Sequence, residues 1–225
     1  MIKRGKLIVI SGSSGSGKGS VLNELFNMAE YRYSVSATTR KPRNGEADGV
    51  DYYFLTREDF LNKIANGEML EYAEYSGNFY GTPRESVERM LSKGYNVILE
   101  IEVVGALIVK EKCPEAVLIF LSPPTYTELE RRLRNRGTET EESINMRLAA
   151  AKEEAENIIE YSYLVINETG KQKETAFKIN CIAESEKYKT VSRKDLSREQ
   201  KLIIETANEQ KINEQKVSNF LKNYF

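Results

Sequence analysis

The chain has 225 residues, and 40% of them are hydrophobic. This size and composition suit either one large α/β domain or a core domain with small insertions, and they are enough for a buried centre. Its 33 basic and 34 acidic residues leave a formal net charge of −1, which argues against a broad nucleic-acid-binding face. Histidine is absent, which excludes histidine-based zinc sites and every Ser-His or Cys-His nucleophile pair. Cys113 and Cys181 lack CxxC spacing, and no apolar run approaches membrane-spanning length, so we expect a cytoplasmic protein with buried thiols.

The first predicted elements are a strand at Lys6–Ser11, a glycine-rich loop and a helix at Val21–Ala29. Helical segments separate most of the later strand candidates, and this alternation predicts an α/β fold with a parallel sheet flanked by helices. Short β-branched runs place those later strands at Ser34–Ala37, Asn96–Ile101, Ala116–Leu121 and Tyr163–Asn167.

The segment from Thr38 to Pro83 interrupts this alternation. Asp51–Thr56 has the pattern of an exposed strand, and Thr56 with Asp59 predicts a capped helix that ends at Gly67. Glu68–Tyr80, with Ser-Gly-Asn at its centre, predicts a hairpin. The segment therefore predicts a small α+β insertion.

Further capping signals mark where the core resumes. Thr82 is predicted as the N-cap of a helix that has Pro83 in its first turn and runs to Gly94. Thr125–Arg136 and Glu141–Ile159 then predict two charged helices joined by a polar turn, a hairpin able to close over a site.

The loop Gly12-Ser-Ser-Gly-Ser-Gly-Lys18 has the GxxxxGK spacing of a phosphate-binding loop, in which backbone N–H groups and a lysine hold phosphate oxygens. The alternative is a flexible turn that only caps a helix. The strand before the loop and the helix after it favour the phosphate site. The predicted ATP-binding residues of the loop are Gly12, Ser13, Ser14, Gly15, Ser16, Gly17, Lys18, Gly19 and Ser20.

Gly19 stands where many such loops carry the Ser or Thr that binds Mg²⁺. Without that hydroxyl, we expect the metal to be held by phosphates and water rather than directly by the protein. Lys-Gly-Ser resembles the loop of nucleoside monophosphate kinases.

A second motif, running from Ser34 to Glu46 and on through Asp48-Gly-Val-Asp-Tyr52, closely resembles guanylate kinase. Glu71, Ser76–Thr82, Leu99–Glu102 and Arg136–Ile144 extend the resemblance over about residues 5 to 187.

The resemblance implies ATP-dependent phosphorylation of GMP, with dGMP as a second acceptor, on a three-layer P-loop kinase core. The implied division is a core of 1–37, 84–123 and 156–187, a GMP-binding insertion at 38–83, a helical lid at 124–155, and a helical extension at 188–225.

Arg40 and Arg43 lie three residues apart in a turn-rich loop, a spacing that lets two guanidinium groups hold one phosphate. Tyr52 and Tyr80 offer phenolic donors to the same group. The alternative is a solvated basic loop beside packing aromatics.

Guanine presents two adjacent donors beside an acceptor, so its site needs a carboxylate next to hydroxyl donors. The resemblance implies that Glu71 faces N1 and N2, that Ser36 and Thr82 face O6, and that Glu102 lies nearby. An exposed strand charge is the alternative for Glu71.

The resemblance makes Arg136 and Arg147 candidates for contacting phosphates after closure, with Lys18 and Arg40 completing the catalytic set. Asn167 is placed near the donor adenine. No general base is required, because a nucleotide monophosphate has a second pKa of about 6. A solvated position is the alternative for any of these arginines, and we expect Arg131 and Arg134 to be surface residues.

The chain departs from the family pattern at four positions. Glu102 stands where the family has Asp, and Val104 where it commonly has Gln. Ser13 replaces a proline common in the family loop, and Glu168 replaces an aspartate.

Two rival functions stay open on sequence alone. One is a guanylate-kinase-like module that binds a partner protein, although such modules typically lose the loop lysine that Lys18 retains. The other is a kinase for a different monophosphate. The tail after Lys187 has apolar residues at loosely helical intervals, which predicts an added helix for packing or for homodimer formation.

Overall fold

The computed structural model describes residues 4–28, 31–75, 77–135, 137, 140–189 and 191–225. The chain forms two compact units. The first contains Met1–Leu7 and Tyr31–Ala116, and the second contains Ile8–Glu30 and Val117–Phe225.

The first unit combines a parallel strand pair with a four-stranded sheet. Its strands are β2 (Tyr31–Tyr33), β3 (Ala37–Thr38), β4 (Tyr53–Phe54), β5 (Met69–Tyr75), β6 (Asn78–Pro83) and β7 (Asn96–Glu100). Its helices are α2 (Arg57–Ala65), α3 (Arg84–Ser92) and α4 (Val103–Lys112). Strands β2 and β7 pair in parallel, and the other sheet has the order β4-β3-β6-β5.

A small apolar core holds this sheet to α2. Ala37, Phe60, Met69 and Phe79 are buried together, and the rings of Phe60 and Phe79 stack 5.4 Å apart. The predicted caps of α2 are confirmed, because the Thr56 side chain accepts from the Asp59 backbone N–H and Gly67 follows the helix with φ of 69°. The predicted hairpin is also confirmed as the antiparallel pair β5 and β6.

Three local predictions in this unit were wrong in extent or place. Only Ala37 of the predicted strand Ser34–Ala37 is in a strand, and only Tyr53–Phe54 of Asp51–Thr56. Thr82 does not cap α3, since β6 continues to Pro83 and the helix begins at Arg84 without a side-chain cap. The Thr82 hydroxyl donates to Glu71 across the hairpin instead.

The second unit contains most of β1 (Leu7–Ser11), together with β8 (Val117–Ser122) and β9 (Tyr163–Ile166), paired in parallel in the order β1-β8-β9. Its helices are α1 (Lys18–Met28), α5 (Tyr126–Arg134), α6 (Glu141–Glu156), α7 (Gln172–Ser185), α8 (Arg198–Glu209) and α9 (Glu214–Tyr224). Every residue of β1 and β8 is buried, as expected for parallel strands covered on both faces. The predicted α/β class with parallel strands is confirmed.

The two charged helices predicted at Thr125–Arg136 and Glu141–Ile159 form as α5 and α6, and they pack on each other. Leu129, Leu133, Ile144, Leu148 and Ala151 make their shared apolar core. Thr125 and Thr140 cap the two helices by accepting from backbone N–H groups three residues on. The role of this hairpin as a lid stays a prediction.

The tail forms two helices that pack on the second unit. Ser197 and Gln200 make a capping box at the start of α8, which contacts α7. Residues 210–212 run beside β9, where the Leu164 backbone N–H donates to the Gln210 carbonyl at 2.9 Å and the Ile212 N–H donates to Ser162 at 3.1 Å. Among the helices of the described residues, none has the length and apolar character needed to span a bilayer.

Candidate active site

The glycine-rich loop between β1 and α1 has a backbone that side chains would obstruct. Gly12, Gly15 and Gly17 have φ of 149°, 93° and 88°. A Cβ at Gly12 would lie 2.1 Å from the Leu121 carbonyl oxygen, and one at Gly17 would lie 2.5 Å from the Asn167 Nδ2. The loop therefore needs glycine both for its dihedral angles and for close approach to its neighbours.

Lys18 begins α1 and turns back over the loop. Its Nζ donates to the Gly12 carbonyl and, at 3.4 Å, to the Ser13 carbonyl. Gly19 and Ser20 follow in the exposed first turn, and no atom lies within 4 Å of a Cβ built on Gly19. The ammonium group and the helix N-terminus thus provide positive charge at one end of the loop.

Two side chains from later in the chain hold the loop from outside. The Asn167 Nδ2 donates to the Ser16 carbonyl at 2.8 Å, and the Arg132 Nη1 donates to the same oxygen at 3.2 Å. The Arg132 Nη2 donates to the Asn167 carbonyl at 2.7 Å, while Glu128 accepts from the Arg132 Nε at 2.8 Å. Asn167 therefore contacts the loop itself.

Arg147 also lies at this loop, since its Nη1 donates to the Ser14 hydroxyl at 2.7 Å. Arg136, the other predicted phosphate-contacting arginine, lies outside the described residues. The second unit thus brings the cationic side chains of Lys18 and Arg147 together at the loop.

The first unit contains a cavity of about 350 Å³, within the range of small-ligand sites. Five of the predicted GMP-binding residues line it, namely Ser36, Tyr52, Glu71, Tyr80 and, at the start of α4, Glu102. Val104 also lines the cavity and is 65% exposed.

Glu71 is the buried charge of this cavity, with 5% of its surface exposed. The Thr82 hydroxyl, itself fully buried, donates to the Glu71 Oε1 at 2.6 Å. Burial raises the pKa of Glu71 above its usual value, and the Thr82 hydrogen bond and the charge of Lys112 oppose that rise. The Thr82 hydroxyl therefore fixes the orientation of the Glu71 carboxylate through its Oε1 atom.

Gly105 makes room for this carboxylate. A Cβ there would lie 3.0 Å from the Glu71 Oε2. The second carboxylate oxygen thus faces the α4 backbone at Gly105, and any side chain at position 105 would crowd it. The sequence pattern did not single out this glycine for that role.

Arg40 lies beside the cavity aromatics and is paired with a carboxylate. Its two terminal nitrogens donate to the two oxygens of Glu46, each at 2.9 Å, and Glu46 also accepts from the Arg43 backbone N–H at 2.7 Å. The Arg40 guanidinium lies 5.4 Å from the Tyr52 ring centre. The Arg43 side chain is exposed.

Comparison with known proteins settles the family. Residues 4–180 match the family model described as guanylate kinase. This chain belongs to the guanylate kinase family. It is 52% identical over 190 residues to the guanylate kinase of Streptococcus pneumoniae, covering 84% of this chain and 90% of the relative. The guanylate kinase of Bacillus anthracis is 54% identical over 168 residues, 74% of this chain and 82% of the relative.

A solved guanylate kinase structure also matches this chain. The crystal structure of guanylate kinase from Anaplasma phagocytophilum is 36% identical and superposes with a TM-score of 0.64, covering 84% of this chain and 89% of that one. The predicted family and the predicted P-loop kinase type of fold are confirmed. The family-model match ends at residue 180, within α7 and before α8 and α9.

The sequence pattern assigned no contact to Arg132, although this side chain lies at the loop. Arg132 holds both the loop carbonyl of Ser16 and Asn167, yet in the sequence it looks like its neighbours Arg131 and Arg134. Arg131 and Arg134 are exposed, as predicted, and each is paired with a glutamate. The signal available was the spacing of four between Glu128 and Arg132, which is common on any solvated helix.

Proposed function

We propose that this chain transfers the γ-phosphoryl group of ATP to GMP, giving GDP and ADP, and that dGMP is a second acceptor. Membership of the guanylate kinase family supports this reaction. The observation that carries the base assignment is the buried Glu71 carboxylate, oriented by Thr82 at one wall of the cavity.

Recognition of guanine follows from hydrogen-bonding chemistry. Guanine offers the N1–H and N2–H₂ donors to an ionised Glu71, and the Ser36 hydroxyl on the same cavity is available for O6. Adenine would turn its N1 acceptor toward the carboxylate. A buried polar group left without its partner costs about 1–3 kcal/mol, so AMP should be a poor substrate.

Arg40, Arg43, Tyr52 and Tyr80 are proposed to hold the GMP phosphate. Glu46 accepts hydrogen bonds from both terminal nitrogens of Arg40, and this pairing holds the guanidinium group beside the Tyr52 ring. A phosphate dianion would take over part of that bidentate pairing. Glu102 is proposed as a further contact of the nucleoside.

The loop residues 12–20 are proposed to bind the ATP phosphates, with Lys18 and the loop N–H groups as donors. Asn167 acts through the loop, because its amide holds the Ser16 carbonyl. Mg²⁺ is the implied cofactor, and Gly19 fits a metal bound mainly through phosphates and water because it offers no hydroxyl. When bound, the ion supplies charge neutralisation between phosphates.

Catalysis in this proposal consists of alignment and charge neutralisation. The GMP phosphate is mostly deprotonated at neutral pH, so its oxygen attacks without a general base, and the chain has no histidine to serve as one. Lys18, Arg40 and Arg147, with Arg136 from outside the described residues, are the proposed groups that hold the anionic centres in line.

The test is a coupled assay of ADP formation with GMP, dGMP, AMP and UMP as acceptors. The proposal predicts turnover with GMP and dGMP and little with AMP or UMP. No turnover with any acceptor would favour a protein-binding module, and a clear AMP preference would overturn the base assignment. A cytoplasmic location and homodimer formation stay predictions.

A further inference from the structure

A second cavity, of about 300 Å³, lies where the tail packs on the second unit, and we call it the tail cavity. Its walls are the start of β9, the end of α7 with the 3₁₀ turn Glu186–Tyr188, the segment before α8, α8 itself, and Lys211. The volume is at the lower end of the range for small-ligand sites. Apart from Tyr163, every lining residue lies beyond residue 180, where the family-model match ends. None of the residues assigned to ATP or GMP lines this cavity.

One face of α8 forms a wall of the tail cavity. Lys201, Ile204, Glu205 and Asn208 all line it, and their spacing of three, four and seven residues places them on one side of the helix. Leu202 lies outside this face and is 60% exposed. The helix therefore presents an ammonium group, an amide and an apolar side chain to the same space.

A buried carboxylate holds the opposite wall. Glu186 is 5% exposed, and its Oε1 accepts from the Tyr163 hydroxyl at 3.1 Å. The Lys189 Nζ lies 2.6 Å from the Glu186 Oε2. Tyr163 and Lys189 both line the tail cavity, so the two groups that satisfy the buried charge are also fixed at its edge. The charge of Lys189 is balanced by this pair.

Two further lysines of the lining carry charge that is not balanced in this way. Within the described segments of the chain, neither Lys201 nor Lys211 has a carboxylate at ion-pair distance. The backbone of Lys211 is held beside β9, where it forms a bridge with Tyr163. The lining thus has three lysines and one glutamate, Glu205. Positive charge in a partly enclosed space attracts an anion.

The remaining lining suits an organic body rather than a bare ion. Val191, Leu196 and Ile204 give the tail cavity an apolar wall, and the Tyr188 ring lies at the same space. Leu196 is buried, so its side chain faces the interior of the tail. An inorganic anion would leave this wall uncovered, whereas a ligand with an apolar body would bury it.

We propose that the tail cavity binds a small phosphate monoester with an apolar body. Its phosphate lies at the ammonium groups of Lys201 and Lys211, and its body lies against Leu196 and Ile204. A phosphate monoester is mostly a dianion at neutral pH, which matches two lysines acting as point charges. Because the walls come from α7, β9 and α8, the bound ligand also stabilises the docking of the tail.

The test is calorimetric titration of phenyl phosphate into the full chain. GMP and a non-hydrolysable ATP analogue with Mg²⁺ are present at saturating concentration, so that the proposed nucleotide sites are filled. Inorganic phosphate and phenol are titrated in parallel as the two halves of the probe. The variants are Lys201→Gln, Lys211→Gln and their combination. Lys173→Gln is the matched control, because Lys173 is an exposed lysine of α7 that does not line the cavity.

We expect saturable binding of phenyl phosphate that is tighter than the binding of either half. Lys201→Gln and Lys211→Gln should each weaken it about 10-fold, since each removes one charge-assisted contact, and the control should match the wild type. Phenyl phosphate should raise the Tm of the wild type and of Lys173→Gln, and it should raise the Tm of the double variant less.

Three results would overturn the proposal. They are no binding of phenyl phosphate, binding of inorganic phosphate as tight as that of phenyl phosphate, and equal affinities in the lysine variants and the control. The outcome is independent of the proposed reaction, because the variants change no residue assigned to GMP or ATP. A chain that does not phosphorylate GMP but loses phenyl phosphate binding in both lysine variants would refute the proposed function and support this site.

Discussion

The Thr82 hydroxyl donates a 2.6 Å hydrogen bond to the Glu71 carboxylate, and both side chains are buried between β5, β6 and α4. A carboxylate in such a place is ionised only against the cost of losing water. Thr82 offsets part of that cost and fixes which oxygen is left for a ligand. The arrangement suits a base that presents donors, and it makes Glu71 and Thr82 act as a pair.

Replacing Thr82 by Val should therefore lower kcat/KM for GMP more than kcat/KM for ATP. Valine has nearly the same shape but removes the hydroxyl that donates to Glu71, a loss of about 1–3 kcal/mol, or about 5- to 150-fold in kcat/KM for GMP. Steady-state kinetics with each substrate varied in turn measures this. Thr56→Val is the control, because it removes a helix cap outside the cavity and should lower stability while leaving the KM for GMP unchanged. An unaltered kcat/KM for GMP in Thr82→Val would contradict the pairing.

In Thr82→Val, the fall of kcat/KM for GMP at acid pH should also begin at a higher pH than in the wild type. We call this fall the acid limb of the pH profile. Burial raises the pKa of Glu71, and the protonated carboxyl group cannot accept both guanine donors, so binding weakens as pH falls through the raised pKa. Without Thr82 the pKa rises further, and the limb shifts to higher pH. Profiles of kcat/KM for GMP against pH are compared between the wild type and Thr82→Val, since the titration of GMP itself is common to both. Superimposable acid limbs would count against this account.

Glu71 should reduce the stability of the fold at neutral pH. Its folded pKa is raised, so the folded state binds the proton more tightly than the unfolded chain, and the free energy of unfolding falls as pH rises from the ordinary Glu range through the raised value. Glu71→Gln should then have a Tm at pH 8 that equals or exceeds the wild type, with the difference shrinking on acidification. Glu74→Gln, on the same hairpin but exposed and paired with Arg57, should change Tm little. A lower Tm for Glu71→Gln at pH 8 would refute this.

Two glycines of the phosphate loop should respond in opposite ways to alanine. Gly17→Ala places a methyl group against the Asn167 amide and puts alanine at a φ of 88°, a strained backbone conformation. Because such strain costs about 1–3 kcal/mol, the variant should have a lower Tm and should bind ATP more than 10-fold more weakly. Gly19→Ala enters open space in the first turn of α1 and should leave Tm unchanged or raise it, because alanine favours the helix by about 1 kcal/mol. Scanning calorimetry and ATP-analogue titration measure both. Equal destabilisation by the two variants would disprove the loop geometry described above.

Sequence patterns predicted the elements whose signals are local. The cap at Thr56, the turn at Gly67 and the hairpin around Gly77 each depend on residues close in the chain, and all three formed. The phosphate loop was predictable for the same reason, because its glycines, its lysine and the flanking strand and helix are contiguous.

The errors came where a distant partner competes for a local group. Thr82 has the pattern of a helix cap, but its hydroxyl finds the Glu71 carboxylate on the neighbouring strand. Arg132 differs from Arg131 only through contacts with Ser16 and Asn167, which are far away in sequence. No periodicity or spacing encodes such pairings.

The most direct test of the central claim, that the cavity of the first unit selects guanine through Glu71, is calorimetric titration of GMP and AMP into the wild type and Glu71→Gln. The account predicts that the wild type binds one GMP per chain with little heat from AMP, and that Glu71→Gln loses most of the preference for GMP. No heat of binding with GMP, or a Glu71→Gln variant that binds GMP as tightly as the wild type, would contradict it.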